Sequence, residues 1–274
     1  MVKYVYHTLL FYRITMFERL GEIMKIFCTD LDNTLIYSYK HDIGECKRNV
    51  EIYQGREISF ITEKEYKLLS DIKDKILILP TTTRTSEQYE RIDLGIGTFP
   101  YAMTCNGGIL LENGMENREW YEESLKLVSE SKKVMENALT LLETDKRRTF
   151  ELRFIRDLFV FTKCEEPETV VKDLQAQLDC SLVDVFNNGI KVYVVPKALS
   201  KGNAIRRIKK YLNADQIIAA GDSEFDVSML NEADIAIAPK SLSEKCTLKQ
   251  EAVIMPEQDV FGEELLSYIW NLVV

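Results

Sequence analysis

A short apolar run that ends in two carboxylates constrains the fold of this chain more than any other stretch. Residues 26–28 (Ile-Phe-Cys) have the composition of a buried strand, and Asp30 and Asp32 follow directly. Side chains two residues apart on a strand share a face, so both carboxylates project from its carboxyl end, where open α/β sheets bind ligands. Such a pair needs a cation or a shared proton, and Mg²⁺ prefers oxygen ligands. Taken alone, the pair fits a helix cap or a turn equally well.

The charge balance restricts the partners that this chain can have. Its 274 residues include 35 basic and 44 acidic side chains, a net charge of −9. This balance argues against a nucleic acid or an anionic membrane as a partner. Six cysteines without a C-x-x-C spacing favour reduced thiols in a cytoplasmic protein, and two histidines disfavour histidine-based catalysis.

The first residues have two readings. Residues 1–23 are mildly apolar, but charged side chains interrupt them and no small-residue cleavage site follows, so a signal peptide is disfavoured. Met24 stands directly before the first predicted strand. The segment therefore fits either a start assigned too far upstream or a helix that packs on the surface.

Strand and helix patterns alternate over the outer parts of the chain. Residues 62–65 (Thr-Glu-Lys-Glu) are a capping-box pattern that opens an amphipathic helix. Residues 76–79 and 216–220 are apolar runs of the kind found in parallel sheets. This alternation predicts an α/β fold with a doubly wound, mostly parallel sheet.

The middle of the chain has a different order, helix–strand–strand twice over, beginning with a long helix at about 125–143. This order predicts an inserted α+β domain rather than continued winding of the main sheet. We therefore expect an N-terminal extension at 1–23, a core built from 24–107 and 192–274, and an inserted cap domain at 108–191.

A long polar segment, residues 36–61, follows the acidic pair. It contains a hairpin signal, 50–53 and 57–60, around Gln54-Gly55-Arg56. A connection of this length beside a site is more often functional than not. We expect it to form a flap over the ligand.

Polar side chains mark four segments that the predicted topology brings to one edge of the sheet. Carboxylates form an oxygen cage for Mg²⁺, and a hydroxyl and an ammonium group suit the oxygens of a phosphoryl group. A carboxylate nucleophile assisted by a metal provides a route for transferring that group. The side chains are Asp30 and Asp32, Thr82, Lys201, and Asp222 with Asp226.

These segments resemble the four motifs of the haloacid dehalogenase-like superfamily. The matching residues are 30–34 (Asp-Leu-Asp-Asn-Thr), Thr82 with Arg84, Lys201-Gly202, and 221–226 (Gly-Asp-Ser-Glu-Phe-Asp). Asn106-Gly107-Gly108 and the place of the insert resemble the branch with an α/β cap, which includes Cof-type and sucrose-phosphate phosphatases. The resemblance implies a Mg²⁺-dependent phosphatase acting on a small phosphorylated metabolite, such as a sugar phosphate.

The resemblance also implies roles for individual residues. Asp30 would attack phosphorus and become an aspartyl phosphate, and Asp32 would protonate the leaving alcohol and later activate water. Thr82 and Lys201 would hold the phosphoryl oxygens.

Other roles concern the metal and the substrate. The implied Mg²⁺ ligands are Asp30, the Asp32 carbonyl and Asp222, with Asp226 as a further ligand or as a residue that orients one. The residues expected to contact substrate are Asn33, Thr83, Arg84, Asn106, Gly107, Arg153 and Lys191.

Three features depart from the family pattern and bear on the substrate. Thr83 stands where the family usually has Gly, Phe225 stands where it usually has Asn, and the flap is longer.

The strands of the insert suggest which side chains face the site. Period two places Phe150, Leu152, Phe154, Ile190, Val192 and Val194 on a helix-covered face. It leaves Glu151, Arg153, Lys191 and Tyr193 on the open face, where they would contact the leaving group or form an ordinary solvated surface.

Other functions share parts of this pattern. A phosphomutase would pass the group from the aspartyl phosphate to a sugar. A response-regulator receiver uses similar residues, but on a later strand and without such an insert. A non-catalytic phospho-ligand binder needs no nucleophile beside an acid.

Overall fold

The structure, a computed structural model, describes residues 23–249 and 251–274. The N-terminal segment 1–22, which holds most of the predicted extension, lies outside the described residues. The first strands are β1 (Lys25–Thr29), β2 (Tyr37–Ser38), β3 (Lys47–Tyr53), β4 (Arg56–Thr62), β5 (Leu77–Pro80), β6 (Tyr101–Thr104), β7 (Ile109–Glu112) and β8 (Met115–Glu116). The later strands are β9 (Arg153–Ile155), β10 (Phe159–Lys163), β11 (Val183–Asn188), β12 (Lys191–Pro196), β13 (Gln216–Ala220), β14 (Ile235–Pro239) and β15 (Val253–Met255).

The helices of the described residues fall between these strands. They are α1 (Glu63–Ile72), α2 (Ser86–Tyr89), α3 (Arg118–Val128), α4 (Lys132–Thr144), α5 (Pro167–Gln177), α6 (Lys201–Tyr211), α7 (Val227–Glu232), α8 (Lys240–Ser243) and α9 (Phe261–Val273). Among the described residues, no helix combines the length and the apolar character that crossing a bilayer requires.

The central sheet places three strand ends at the same level. Its order is β15–β14–β13–β1–β5, and all pairs are parallel. Thr29 at the end of β1 lies opposite Ala220 of β13 and Pro80 of β5. Residues that follow these three strands therefore emerge side by side, although the chain separates them by many residues.

Alternation along β1 explains why this sheet is covered on both faces. Ile26 and Cys28 pack in one apolar cluster with α6 and α7, and Phe27 packs in another with α1 and α9. A strand buried on both faces reads as a continuous apolar run, as this one does. The predicted doubly wound α/β fold is confirmed.

A second sheet, antiparallel and ordered β11–β12–β10–β9, forms the cap. Val160, Val192 and Val194 pack in one apolar cluster with residues of α4 and α5. The single long helix predicted for 125–143 is wrong, because α3 and α4 are separated by a turn of 3₁₀ helix at Ser129–Ser131. The Ser129 hydroxyl donates to the carbonyl of Lys126, and such local bonds compete with a continuous helix.

Two expectations for the cap strands need correction. Ile190, expected to point inward, is 58% exposed because it lies in the turn before β12. Phe150 precedes β9, so period two does not apply to it. Its ring contacts Phe161, Arg153 and Lys163 instead of the helices.

The predicted domain boundary between residues 191 and 192 falls inside a strand. All six residues of β12 pair with β11, from Lys191 to Pro196. A boundary after Pro196 would keep the cap sheet intact. The division into core and cap stays a prediction, with this one limit moved.

The segment after the acidic pair folds into a three-stranded sheet of order β2–β4–β3, with a hairpin between β3 and β4 at the predicted turn. We call residues 37–62 the flap. At its end Thr62 caps α1, and its backbone N–H donates to Glu65 in a complete capping box.

Glu65 is a buried carboxyl group at the junction of flap and core. It is fully buried, and its Oε1 accepts no hydrogen bond in the structure. A Cβ on Gly262 would lie 1.9 Å from Oε1, so only glycine permits this approach of α9 to α1. Burial raises the pKa of Glu65 to about 8.

We expect Glu65→Gln to remove one component of the pH dependence of folding. The pKa of Glu65 in the folded state lies above its ordinary value of 4.5, so its stabilising contribution is full below pH 4.5 and is lost as the pH rises to about 8. Relative to wild type, the variant should gain on the order of 5 kcal/mol between pH 4.5 and 8.5. Urea unfolding across this range measures the gain, and Glu57→Gln, an exposed carboxylate on the flap, is the control. An unchanged pH dependence in Glu65→Gln would contradict the assignment.

Candidate active site

An ammonium group and two carboxylates are in direct contact at the carboxyl edge of the central sheet. Asp30 follows β1, Lys201 opens α6, and Asp226 lies in the loop after β13. Lys201 Nζ lies 2.6 Å from Asp30 Oδ1 and 2.6 Å from Asp226 Oδ1. Burial alone would lower the pKa of Lys201, but the two carboxylates outweigh it and raise the pKa above its ordinary value. The ammonium group is therefore a fixed cation in the site.

Local structure explains how Lys201 reaches this position. Ser200 caps α6 by accepting from the N–H of Asn203, which places Lys201 in the first helical turn. A cation is disfavoured there by the helix dipole. The contacts with Asp30 and Asp226 offset that cost.

Three carboxylates form a cluster around this ammonium group. Oxygen atoms of Asp30, Asp222 and Asp226 all lie within 4.8 Å of one another. Burial and the neighbouring carboxylate of Asp226 raise the pKa of Asp222 to about 7, against hydrogen bonds from Thr34 and Asn33. Burial raises the pKa of Asp30 as well. The negative charge of the cluster therefore exceeds the single positive charge of Lys201. Its carboxylate oxygens are the kind of ligand atom that Mg²⁺ prefers.

Both oxygens of Asp226 have partners. Oδ1 accepts from Lys201, and Oδ2 accepts from the backbone N–H and the hydroxyl of Ser223. A Cβ on Gly221 would lie 2.3 Å from Asp226 Cγ, so glycine is required where the loop turns over this carboxylate. These contacts hold Asp226 rigidly beside Lys201.

The side chain of Asp32 lies apart from the carboxylate cluster. It is 48% exposed, and the guanidinium group of Arg84 forks onto it at 2.8 Å (Nε to Oδ2) and 2.7 Å (Nη2 to Oδ1). Arg84, expected to contact substrate, also donates from Nη1 to Glu51 at 2.8 Å. Burial opposes the charge of Arg84, but these hydrogen bonds raise its pKa above the ordinary value.

The residues after β5 and β6 make hydrogen bonds with neighbouring backbone. Thr82 is fully buried, and its hydroxyl accepts from the backbone N–H of Arg84 at 3.1 Å, while Thr83 stands between them, half-buried. Asn106 donates from Nδ2 to the carbonyl of Leu199, and its Oδ1 accepts no hydrogen bond. A Cβ on Gly107 would lie 2.2 Å from that of Ala204 in α6. In this structure, Asn106 and Gly107 thus pack against the segment that leads into Lys201.

Asn33 lines a cavity that adjoins the cluster. The cavity has a volume of about 300 Å³ and lies between the start of the flap, Pro239 and residues 257–261. Asp222 forms part of its wall. The cavity opens the Asp222 side of the cluster to solvent.

Comparisons with known proteins decide the family. The sequence model of Hydrolase_3, described as haloacid dehalogenase-like hydrolase, matches residues 108–259, which is more than half of the chain. The chain belongs to the haloacid dehalogenase-like hydrolases. The predicted family is thereby confirmed, and together with the curated relatives below the match confirms the prediction of a phosphatase enzyme.

Curated relatives and solved structures agree with this family. The phosphoglycolate phosphatase of Methanopyrus kandleri is 26% identical over 172 residues, 61% of this chain and 69% of that protein. The phosphoglycolate phosphatase of Sulfurisphaera tokodaii is 25% identical over 217 residues, 78% of this chain and 88% of that protein.

Solved structures share the fold at low identity. The sucrose-phosphatase of Synechocystis sp. PCC6803 in complex with sucrose and phosphate superposes with a TM-score of 0.66 at 15% identity, covering 91% of this chain and 98% of that one. The phosphatase BT1666 of Bacteroides thetaiotaomicron gives 0.56 at 15% identity, covering 92% and 96%.

The cap of this hydrolase places one row of side chains across its open face. Strand register aligns Arg153 with Phe161, Phe161 with Tyr193, and Tyr193 with Phe186. Arg153 pairs with Glu151, and Lys191 lies exposed on the same face, opposite Lys163. The four residues proposed for leaving-group contact therefore occupy this face or its edge.

An aromatic contact joins this row to the loop after β13. Phe225, next to Asp226, meets Phe186 at 4.6 Å and Tyr193 at 5.5 Å between ring centroids, both edge-on. Tyr193 is also close enough to Asp32 for that carboxylate to raise its pKa, although burial contributes more. The Phe at 225, noted as a departure from the family pattern, contacts the cap.

Sequence reasoning missed Glu51, Phe186 and Phe161 as parts of the site region. Glu51 stands in a segment whose pattern indicates a hairpin, and period two alone does not show which face of that hairpin is buried. Two aromatic residues on one face of neighbouring predicted strands were a usable signal, because cross-strand aromatic pairs stabilise sheets.

We expect Asp222→Asn to stabilise the metal-free protein at alkaline pH. The pKa of Asp222 in the folded protein is about 7, above its ordinary value of 3.8, so its favourable contribution is full below pH 3.8 and is lost as the pH rises through 7. With EDTA present, the variant should exceed wild type by on the order of 1–2 kcal/mol at pH 8, after allowance for partial exposure, and match it at pH 4. Thermal unfolding at both pH values measures this, with the exposed Asp71→Asn as control. A gain of equal size at pH 4 would contradict the electrostatic cause.

Proposed function

We propose that this hydrolase removes the phosphoryl group from a small phosphorylated metabolite, with Mg²⁺ and through an aspartyl phosphate on Asp30. The observation that carries the proposal is the buried contact of Lys201 with both Asp30 and Asp226 at 2.6 Å. A carboxylate fixed in this way is oriented for attack. The same ammonium group supplies positive charge where phosphoryl oxygens would lie.

The residues of the cluster fit a magnesium ion. Asp30 and Asp222 would provide carboxylate oxygens, and the carbonyl of Asp32 a third ligand. Both oxygens of Asp226 already accept hydrogen bonds, which favours a supporting role for it over direct ligation. When bound, Mg²⁺ would neutralise negative charge on the phosphoryl oxygens and on the attacking carboxylate.

The first half-reaction transfers the phosphoryl group to the protein. A carboxylate oxygen of Asp30 forms a bond to phosphorus as the bond from phosphorus to the leaving oxygen breaks. Asp32, in its protonated form, donates a proton to that oxygen and is left as the carboxylate that pairs with Arg84, so the product leaves as an alcohol. Its exposed side chain faces the region where a leaving group can enter, while Asp30 is only 6% exposed.

The second half-reaction restores the protein. Asp32, now ionised, takes a proton from a water molecule whose oxygen attacks the phosphorus of the aspartyl phosphate. The bond from phosphorus to Asp30 breaks and inorganic phosphate is released. The Thr82 hydroxyl and Lys201 would hold the phosphoryl oxygens during both steps, because negative charge develops on these oxygens in each.

The cap supports a polar or anionic leaving group. Lys191 and Arg153, which pairs with Glu151, lie on its open face, and the Asp32 carboxylate contributes to the raised pKa of Tyr193 on that face. A sugar phosphate or the phosphate of a small acid would suit these groups. The similarity to two phosphoglycolate phosphatases and to the fold of a sucrose-phosphatase is consistent with both classes.

The decisive experiment is phosphate release from p-nitrophenyl phosphate by the purified protein. Activity should require Mg²⁺ and disappear with EDTA, and Asp30→Asn should lower kcat by about 10³-fold or more because it removes the nucleophile. Asp71→Asn, on the exposed side of α1, should leave activity unchanged. Full activity in Asp30→Asn would contradict the covalent route. Transfer of phosphate to an added sugar phosphate instead of water would identify a phosphomutase.

A panel of phosphorylated acids and sugars tests the cap residues. Arg153→Ala and Lys191→Ala should raise KM about 10-fold for anionic substrates, because each removes a cation from the open face, with kcat for p-nitrophenyl phosphate little changed. Lys172→Ala, an exposed lysine on α5, is the matched control. Normal turnover of the whole panel by both variants would count against leaving-group contact.

A further inference from the structure

Glu51 is a buried carboxylate in the flap that no step of the proposed reaction uses. Its side chain is fully buried in β3. Oε2 accepts from Arg84 Nη1 at 2.8 Å and from the hydroxyl of Ser59 at 2.7 Å. Oε1 accepts from Arg91 Nε at 3.1 Å and Nη2 at 3.0 Å. Every oxygen of this carboxylate is therefore engaged by a side chain.

An irregularity in the flap turns Glu51 inward. The pairing of β3 with β4 shifts register on both sides of Glu51, and Asn49 bridges the gap by donating to the carbonyls of Glu51 and Ser59. As a result, Val50 and Glu51 are both buried although they are adjacent, whereas regular pleating would expose one of them. Bulges near active sites commonly redirect a side chain in this way.

The strand around Glu51 is also fixed to the core. Val50 accepts from the N–H of Asp93 at 2.8 Å, and Glu51 forms an isolated bridge with Ile92. The guanidinium group of Arg91 lies over the ring of Tyr53 at 4.6 Å. Glu51 is thus held from two directions, by the flap and by the segment after α2.

Charge balance links Glu51 to Asp32. A buried carboxylate is costly unless it is paired. Here two carboxylates, Glu51 and Asp32, alternate with two guanidinium groups, Arg91 and Arg84, and the four charges cancel. Arg84 is the connection, because three of its nitrogens are committed, Nη1 to Glu51 and the other two to Asp32.

We propose that Glu51 is a positioning residue, which orients Arg84 so that its fork holds the Asp32 carboxylate toward the leaving group. This inference rests on the proposed function of Asp32 and gives the flap a part in it. The guanidinium group is planar and rigid, so binding Nη1 to Glu51 fixes the direction in which Nε and Nη2 point. Without Glu51, Arg84 can rotate away, and Asp32 loses the contact that orients it.

Leaving-group dependence separates this role from simple support of the fold. An alkyl alkoxide is a poor leaving group and needs the proton from Asp32, whereas p-nitrophenolate departs without one. Glu51→Gln should lower kcat/KM for an alkyl phosphate such as glycerol phosphate by about 10- to 100-fold and for p-nitrophenyl phosphate by less than about 3-fold. Damage to the fold would lower both by the same factor.

Matched variants complete the experiment. Asp32→Asn shows how large the selective loss of kcat/KM can be. Glu57→Gln, which changes an exposed carboxylate on the same hairpin, should leave kcat/KM for both substrates unchanged. Arg84→Lys keeps the charge but not the fork and should reproduce the selective loss. Ser59→Ala should show a smaller loss in the same direction. These two variants carry the test if Glu51→Gln does not fold, as judged by circular dichroism.

Two patterns would overturn the proposal, and they differ in what else they overturn. Equal losses on both substrates, or no loss, in the Glu51 or Arg84 variants, together with a selective loss in Asp32→Asn, would reject Glu51 alone. An Asp32→Asn variant that shows no selective loss would reject the proposed role of Asp32 and this inference with it.

Discussion

The buried ammonium group of Lys201 is the interaction on which the rest of this structure depends. An isolated charge in a protein interior is strongly disfavoured, so Lys201 can be buried only with Asp30 and Asp226 in place. These residues come from the end of β1, the start of α6 and the loop after β13. The pairing therefore requires the level strand ends of the central sheet, and it ties the segments before and after the cap into one site.

The carboxylates around Lys201 repel one another, and the folded chain keeps them close together. Three carboxylates face one ammonium group, and the raised pKa values of Asp30 and Asp222 express the excess of negative charge. Apolar clusters on both faces of the sheet supply the stability that permits this arrangement. The unfavourable charge is the property that would attract the divalent cation proposed above, and a cation that binds only the folded chain would stabilise it.

Sequence reasoning located the parts of the site that depend on strand ends. Parallel strands place their carboxyl ends at one edge whatever the chain length between them, so Asp30 and Asp222, which follow β1 and β13, could be grouped from the sequence. Contacts that depend on irregular backbone could not. The bulge that buries Glu51 and the serine turn that divides α3 from α4 leave no periodic signal, and the contact of Phe225 with Phe186 depends on how the cap meets the core.

The side chain of Asp32 lies where three parts of the molecule meet. Arg84 connects it to the flap, and the Asp32 charge contributes to the raised pKa of Tyr193 in the cap, which packs against Phe225 of the loop after β13. Edge-on aromatic contacts of this kind contribute about 0.5–1.5 kcal/mol each beyond the area that they bury, so Phe225 helps to hold the cap against the loop after β13. Asp30, by contrast, is held by buried charge pairs that do not involve the cap. A shift of the cap would therefore change the surroundings of Asp32 and leave the contacts of Asp30 with Lys201 in place.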